Sequence, residues 1–348
     1  MSDRAGLRHA DDLDGWRRWQ RGRDPLRAVR ARLRPSTPEP LVLHLRGAEP
    51  SILLAVEAST ASAVAATAAS LAHLGEHPVA VLAPGDVTAL LPGAWTTRPL
   101  PDPGPLPTEL RGLRAVVATG HYLRVGATAL RWAGRTGARF LVVQHGLLTP
   151  FAPPLPTGAT LLAFSAADAD FWRSGRTDVA TAVVGSQLLW SAAQRPRTAV
   201  TEERPLFLGQ LHGAELPRRI AAATAGRFCR ETGADYRPHP AEVDRRSRWQ
   251  HAAWRRSGIR VLVGGDLAAQ HRPVASVFST GVLEAAAAGT PAWVTCVDPP
   301  AWVREFWGRY GLSRWGEGPP TPAPVVPVVE PAAAVAAQAL AVVEGGVR

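Results

Sequence analysis

Short apolar runs alternate with longer, helix-like stretches along most of the chain, starting after a proline-rich break at Pro35, Pro38 and Pro40. That alternation predicts βα units built on a parallel sheet. Strands are predicted at residues 41–45, 52–56, 79–82, 115–119, 140–144, 161–164 and 182–185, with helices over 59–74 and 125–136. The stretch 100–107 carries four prolines and reads as an exposed connector. A polar passage at 191–204 interrupts the pattern, which then restarts. Strands at 206–208, 235–237, 260–263, 276–278 and 292–295 alternate with helices over 217–232, 242–257 and 281–288. The fold class predicted is α/β, two Rossmann-like domains facing a cleft, at 39–198 and 199–320. Residues 1–38 read as a basic N-terminal tail, and 321–348 as a proline-rich linker with an apolar helix over 332–344.

A length of 348 residues accommodates two domains, each with its own core. With 46% hydrophobic and 20% charged residues and a mean hydropathy of −0.03, the chain is neither a disordered polyelectrolyte nor a many-span membrane protein. The net charge of +10 arises from 39 basic residues against 29 acidic ones, and every basic residue is arginine. Arginine's planar fork suits phosphate and carboxylate, which favours anionic partners, although a GC-rich coding sequence accounts for arginine, alanine, glycine and proline together. Ten arginines and five aspartates fall among the first 34 residues, so this stretch supplies +5 of the +10. Within it Leu26, Val29 and Leu33 follow Pro25 at helical spacing. Residues 4–34 could therefore contact an anionic membrane surface peripherally, or pack on the first domain with Trp16 and Trp19.

Cys229 and Cys296 are isolated, with no zinc or disulfide spacing, and no signal-peptide pattern opens the chain. A cytoplasmic protein is expected, peripheral at the inner membrane face if the tail binds lipid. Walker, dinucleotide-fingerprint, zinc-protease and nucleophile-elbow motifs are lacking. Asp168 and Asp170 read as acidic residues at a helix start rather than a metal site, so no metal and no cofactor are expected. The Trp–Arg neighbourhoods at Trp249, Trp254, Trp302 and Trp315 read as core and rim packing, with no specific nucleic-acid binding.

The chemistry concentrates just after predicted strands, where open parallel sheets bind ligands. Phe278-Ser279-Thr280-Gly281 leads into a small-residue helix bearing Glu284, so hydroxyls and unsatisfied amides converge at the positive end of a helix dipole. A phosphate fits there, with Glu284 one turn on for a ribose diol; the plainer reading is an ordinary Ser/Thr N-cap. Tyr236-Arg237-Pro238-His239-Pro240 holds His239 between two prolines at another strand end. In the first half, Gln144-His145-Gly146 and His121 also follow strands, and a histidine there could accept an acceptor's proton or simply bond across its loop.

These segments resemble GT-B glycosyltransferases. "STGVLEAAAAGTPAWV" looks like the donor-site segment of that superfamily. "RPHP" with "ST" is similar to the bacterial capsule and teichoic-acid type enzymes, which include sialyl-/polysialyltransferases and CDP-glycerol glycerophosphotransferases. The resemblance implies donor binding by Arg237, His239, Ser279, Thr280, Gly281 and Glu284, and by Gly209 and Gln210 in the turn opening the second domain. It implies His145 as general base, His239 as a second catalytic residue, and Gln144 and His121 on the acceptor side. The implied partners are a CMP-, CDP- or UDP-linked donor and an oligo- or polysaccharide acceptor, free or lipid-linked. A true sialyltransferase is disfavoured, because the acidic pair before glycine occurs only as "DDLDG" at 11–15, ahead of the first strand. Two other expectations stand beside this one: a nucleotide-sugar 2-epimerase of the same architecture, and a non-catalytic arginine-rich protein binding nucleic acid or membrane.

Overall fold

The computed structural model describes residues 6–22, 39–57, 61–101, 104–197, 199–213, 215–264 and 271–345. Contacts divide the chain into two units, Met1–Leu188 with Pro327–Arg348, and Leu189–Val326.

The first unit is built on an eight-stranded sheet. Its strands are β1 (Leu41–Arg46), β2 (Ile52–Ala55), β3 (Val79–Pro84), β4 (Thr96–Leu100), β5 (Ala115–Ala118), β6 (Arg139–Val143), β7 (Thr160–Ala163) and β8 (Ala180–Val183). Their order is β4-β1-β3-β2-β5-β6-β7-β8. From β3 to β8 the neighbours are parallel, as expected. The expectation of a wholly parallel sheet is corrected at one edge, where β1 runs antiparallel to both β3 and β4. The pattern missed β4 because four of its five residues are exposed and one is Pro99, a residue an edge strand tolerates where a central one does not.

Both faces of this sheet are covered, which is why its strands read as nearly continuous apolar runs. Leu53, Val116 and Val142 pack under Val125, Ala129 and Trp132 of α3 (Arg124–Thr136) and under Phe171 and Trp172 of α4 (Ala166–Arg173). On the other face Ile52, Leu54 and Val117 meet Val335, Ala336 and Ala339 of α10 (Pro331–Gly345). The apolar helix that the sequence attaches to a linker thus belongs to the first unit. The single helix expected over 59–74 is instead α2 (Ala61–Ala66) followed by a 3-10 helix, Ala68–His73. At the join the Thr67 hydroxyl donates to the Ala63 carbonyl and Ser70 to that of Thr67, side-chain bonds that compete with the α-helical ladder.

Helix α1 (Leu13–Gly22) is docked on this unit rather than left as a tail. The buried Trp16 donates from Nε1 to the Phe151 carbonyl at 2.7 Å and meets Tyr122 edge-on, while Trp19 stacks on Phe151 at 4.8 Å. The Arg8 amide donates to the Pro150 carbonyl at 2.8 Å, and Arg176 Nη1 donates to that of Ala10 at 3.3 Å. For residues 6–22 the packed reading is therefore the observed one. The helix expected around Leu26, Val29 and Leu33 lies outside the described residues.

The second unit has four parallel strands, β9 (Leu206–Leu208), β10 (Asp235–Arg237), β11 (Val274–Ser276) and β12 (Ala292–Val294), in the order β10-β9-β11-β12. Helices α6 (Arg218–Thr232), α7 (Arg245–Arg256), α8 (Thr280–Ala287) and α9 (Ala301–Arg309) accompany them, and α5 (Gln187–Ala193) crosses the division between the units. At the amino ends of these strands, buried Asp235 accepts from Arg272 Nη2 at 2.9 Å, and Arg272 also donates to the carbonyls of Arg204 and Pro205. The strand expected at 260–263 is reduced to one bridge, Tyr236 to Val261, and the chain turns away at Gly264 with φ +81°. The strand expected at 276–278 ends two residues earlier, so Val277 and Phe278 belong to the loop that precedes α8. Two successive Rossmann-like α/β units are the fold class that the alternation predicts.

Of the four Trp–Arg neighbourhoods, Trp254 and Trp302 are buried and Trp315 is half-buried, as packing residues should be. Trp249 corrects that reading, because it is 77% exposed. Among the described residues no helix is long and apolar enough to cross a membrane.

Trp16→Ala should lower the stability of the first unit by about 3 kcal/mol through the lost ring and hydrogen bond. Urea denaturation would measure it, and an unchanged midpoint would show that α1 is not docked in solution.

Candidate functional site

In the second unit the chain passes from β9 to β10 on one side and then crosses to β11 on the other, so the topological switch point lies between β9 and β11. Gln210 follows β9 and Ser279 follows β11. The side-chain oxygen of Gln210 accepts from the Ser276 hydroxyl at 3.2 Å and from the Phe278 amide at 3.0 Å, joining the two loops across the crevice. The same bonds turn Phe278 off the sheet and bring Ser279 to the start of α8.

Ser279 is the N-cap of α8, and its Oγ accepts from the Gly281 amide at 3.1 Å. The capping reading is therefore realised, and the hydroxyl keeps its proton available to donate. Helix α8 is buried all round apart from one stripe: Gly281, Val282, Leu283, Ala285, Ala286 and Ala287 are buried, while Thr280 and Glu284 are partly open. Those two stand at i and i+4, neighbours on one helix face. A hydroxyl and a carboxyl thus share the accessible edge of an otherwise apolar helix, beside its positive end.

At the same carboxyl end of the sheet, the loop after β10 carries His239. Its Nδ1 accepts from the Ala241 amide at 3.1 Å, which places the ring proton on Nε2 and makes that atom a hydrogen-bond donor. His212, from the loop after β9, stacks on it with ring centroids 3.8 Å apart. Burial lowers the pKa of His239, with Glu242 opposing. His212 is exposed as a residue, but its ring lies against His239, and its pKa is lowered first by burial and then by that neighbour. Both rings are neutral at pH 7. Arg237 is the last residue of β10 and is half-buried.

Glu242 holds this platform in place, a role not legible in the sequence although it ends the same Pro-His-Pro-Ala-Glu run. The buried carboxylate accepts from Tyr236 Oη at 2.8 Å and from the Leu211 amide at 2.9 Å, and lies 2.9 Å from His251 Nε2. Burial, followed by the nearby Glu242, raises the Tyr236 pKa, so the phenol stays protonated and donates. Gly209 is required by this packing. A Cβ there would stand 2.2 Å from Tyr236 Oη and 2.7 Å from Glu242 Oε1. Its amide donates to the Arg237 carbonyl at 2.8 Å. Of the donor contacts implied for the turn, Gly209 is thus engaged in holding β9 to β10, and the Gln210 oxygen in holding β9 to β11.

The first unit has its own switch point, between β2 and β5. There the Glu57 carboxyl accepts from the Val125 and Gly126 amides at 3.2 and 2.9 Å, so the chain's own acid occupies the N-terminus of α3. Burial raises the Glu57 pKa, against those backbone bonds. His121, after β5, is only 8% exposed, and its Nδ1 has no hydrogen-bond partner among the described residues. Burial brings its pKa down to about 4, with Arg17 of α1 and Arg176 contributing. Gln144 is likewise buried: its amide group donates to the Gly146 carbonyl and its oxygen accepts from the Phe164 amide, tying the β6 and β7 loops together. His145 is half-buried and lines a recess with Gln144, Phe164, Ser186 and Pro331, which His121 does not reach. Burial lowers its pKa, leaving a neutral imidazole able to accept a proton.

Asp168 and Asp170 behave as helix-start residues. The Ser165 hydroxyl caps α4 by accepting from the Asp168 amide, and Asp170 pairs with Arg173 at 2.9 Å. Among the described residues no three metal-ligating side chains converge.

No protein-family model and no curated protein matched the chain. Among solved structures it is similar to a glycosyltransferase from Rickettsia africae, at 11% identity over 85% of this chain and 88% of that one, with a TM-score of 0.42. It is also similar to the Methanocaldococcus jannaschii UDP-GlcNAc 2-epimerase in complex with UDP-GlcNAc and UDP, at 12% identity over 65% and 75% of the chains and a TM-score of 0.40. The pneumococcal O-GlcNAc transferase, in complex with UDP and GlcNAc, follows at 14% identity over 67% and 50%, with a TM-score of 0.33.

Gly209→Ala should destabilise the second unit by about 2–3 kcal/mol through overpacking against Tyr236 and Glu242. Calorimetry of the variant would measure it, and a neutral effect would contradict the packing. His121, His145, His212 and His239 all titrate below the ordinary histidine value of 6.5, and His121 near 4. Between those pH values the unfolded chain binds more protons than the folded one, so stability falls as pH drops from 6.5 towards 4. The exposed Asp86 and Asp178, held at about 2 chiefly by hydrogen bonds from Thr88 and Arg176, add their loss only below 3.8. Melting temperature should therefore decline across the histidine window, and His121→Gln should flatten the decline.

Proposed function

We propose that the chain is a glycosyltransferase, or a transferase of glycerophosphate or phosphosugar, that draws on a nucleotide-activated donor. The observation that carries this reading is the partly open stripe of Thr280 and Glu284 on buried α8, set at the switch point of the second unit, at the same carboxyl end of the sheet as His239. The donor's phosphates lie at the N-terminus of α8. His239 Nε2–H, the Ser279 and Thr280 hydroxyls, Arg237 and the positive end of the helix meet the charge that develops on the leaving phosphate. Glu284, one turn further on, accepts from the donor ribose. The reading requires neither metal nor cofactor. A comparison of the two units supports placing the donor in the second one: the α3 N-terminus already holds the Glu57 carboxyl, whereas α8 is capped by a neutral serine. His145, neutral in its recess, takes the proton of the acceptor hydroxyl.

The donor is CMP-, CDP- or UDP-linked and the acceptor a cell-envelope or capsular polysaccharide. Calorimetric titration with CMP, CDP and UDP tests the site. Folded His239→Ala and Ser279→Ala variants should each bind at least about tenfold more weakly, the worth of a hydrogen bond to a charged group. Binding as tight as that of the parent would remove the donor site from this position. Product analysis with EDTA present should show transfer only when acceptor is added. Donor isomerised without acceptor would make the protein an epimerase instead.

A further inference from the structure

We propose that the outward face of α7 in the second unit docks on an anionic lipid bilayer. Helix α7 presents Ser247, His251 and Trp254 to the core. At 100° per residue the direction opposite that stripe falls on Trp249 and Arg256, with Arg245 and Ala253 to either side. Trp249 is 77% exposed, and Val243, just ahead of the helix, is 69% exposed. Arg245, Arg246, Arg248, Arg255 and Arg256 are all exposed around them. The twelve residues of α7 include no acid, and among the described residues none of these five arginines pairs with a carboxylate. The Arg248 guanidinium donates to the Val243 carbonyl.

The needs of the helix itself do not explain this composition. Arg255 and Arg256 suit the negative end of the dipole, but Arg245 and Arg246 occupy the first turn, where positive charge opposes it. They weaken the helix, so their benefit lies outside it. A large exposed indole ringed by cations matches the lipid headgroup region in both respects. The indole rests at headgroup depth, the guanidinium groups pair with lipid phosphates, and the arginine stems cover apolar surface. Single-stranded nucleic acid fits less well, because it needs a succession of stacking rings. Among the described residues Trp249 is the one exposed phenylalanine, tyrosine or tryptophan. Duplex nucleic acid asks for arginines level with its phosphates, and here a ring protrudes between them.

The test is co-sedimentation of the full chain with vesicles of phosphatidylcholine, alone or mixed with phosphatidylglycerol, over a range of salt. The parent should bind only the anionic vesicles, less so as salt rises. The R245Q/R246Q double variant should bind about 25-fold more weakly, fivefold for each arginine. Trp249→Ala should weaken binding at every salt concentration, since its contribution is apolar. An R17Q/R18Q/R21Q variant of α1 should retain most of the binding, and thermal unfolding would confirm that each variant is folded. Absence of binding by the parent, equal binding to neutral vesicles, or undiminished binding by both α7 variants would each overturn the proposal. So would retention of a single-stranded oligonucleotide while the vesicles are ignored.

Discussion

The buried carboxylate of Glu242 is the constraint on which the candidate site depends. It accepts from a phenol and a backbone amide and lies within hydrogen-bond reach of an imidazole, so its desolvation is offset by groups brought from three directions. One of those groups ends in β10, one lies in the loop after β9 and one comes from α7. A single side chain therefore sets the spacing between the loop that carries His212 and the loop that carries His239. The stacking of the two rings follows from that spacing, and so does the need for glycine at 209.

The two sheets share a topology at their switch points and treat it differently. In the first unit the crevice end of α3 is filled by Glu57, and His121 nearby is buried within reach of Arg17 on α1. In the second the corresponding helix keeps an accessible polar edge. The difference arises from single positions: an acid two residues beyond β2 in one case, a serine at the head of α8 in the other.

Much of this architecture was legible from hydrophobic spacing, because a parallel strand buried on both faces writes itself as a short apolar run. Strands β2, β3, β5 and β6 are such runs. The antiparallel edge was not legible, since β1 has the same apolar texture as its parallel neighbours and β4 is mostly exposed. Of the candidate site, the residues near one another in sequence could be singled out from their place after strands. Glu242, His212 and Glu57 could not, because their roles come from bonds to loops 31, 27 and 69 residues away. Gln144 and Gln210 carried a signal that pointed at ligand, and their carbonyl groups proved to bind neighbouring loops. Trp249 shows the reverse: an aromatic amid arginines has the same letters in a core and on a surface, and only the helix register separates the two.

The placement of α10 bears on how the chain becomes structured. One face of the first sheet, with Ile52, Leu54 and Val117, is closed by residues 331–345, which follow the whole of the second unit in sequence. During synthesis Ala66, Ala68, Leu71 and Leu74 can cover part of that face, but the part that Val335, Ala336 and Ala339 close stays open until the second unit has been made. The second sheet and its helices can therefore fold while the first is still incomplete, and the apolar surface waiting on β2 and β5 is where premature association with another chain would start.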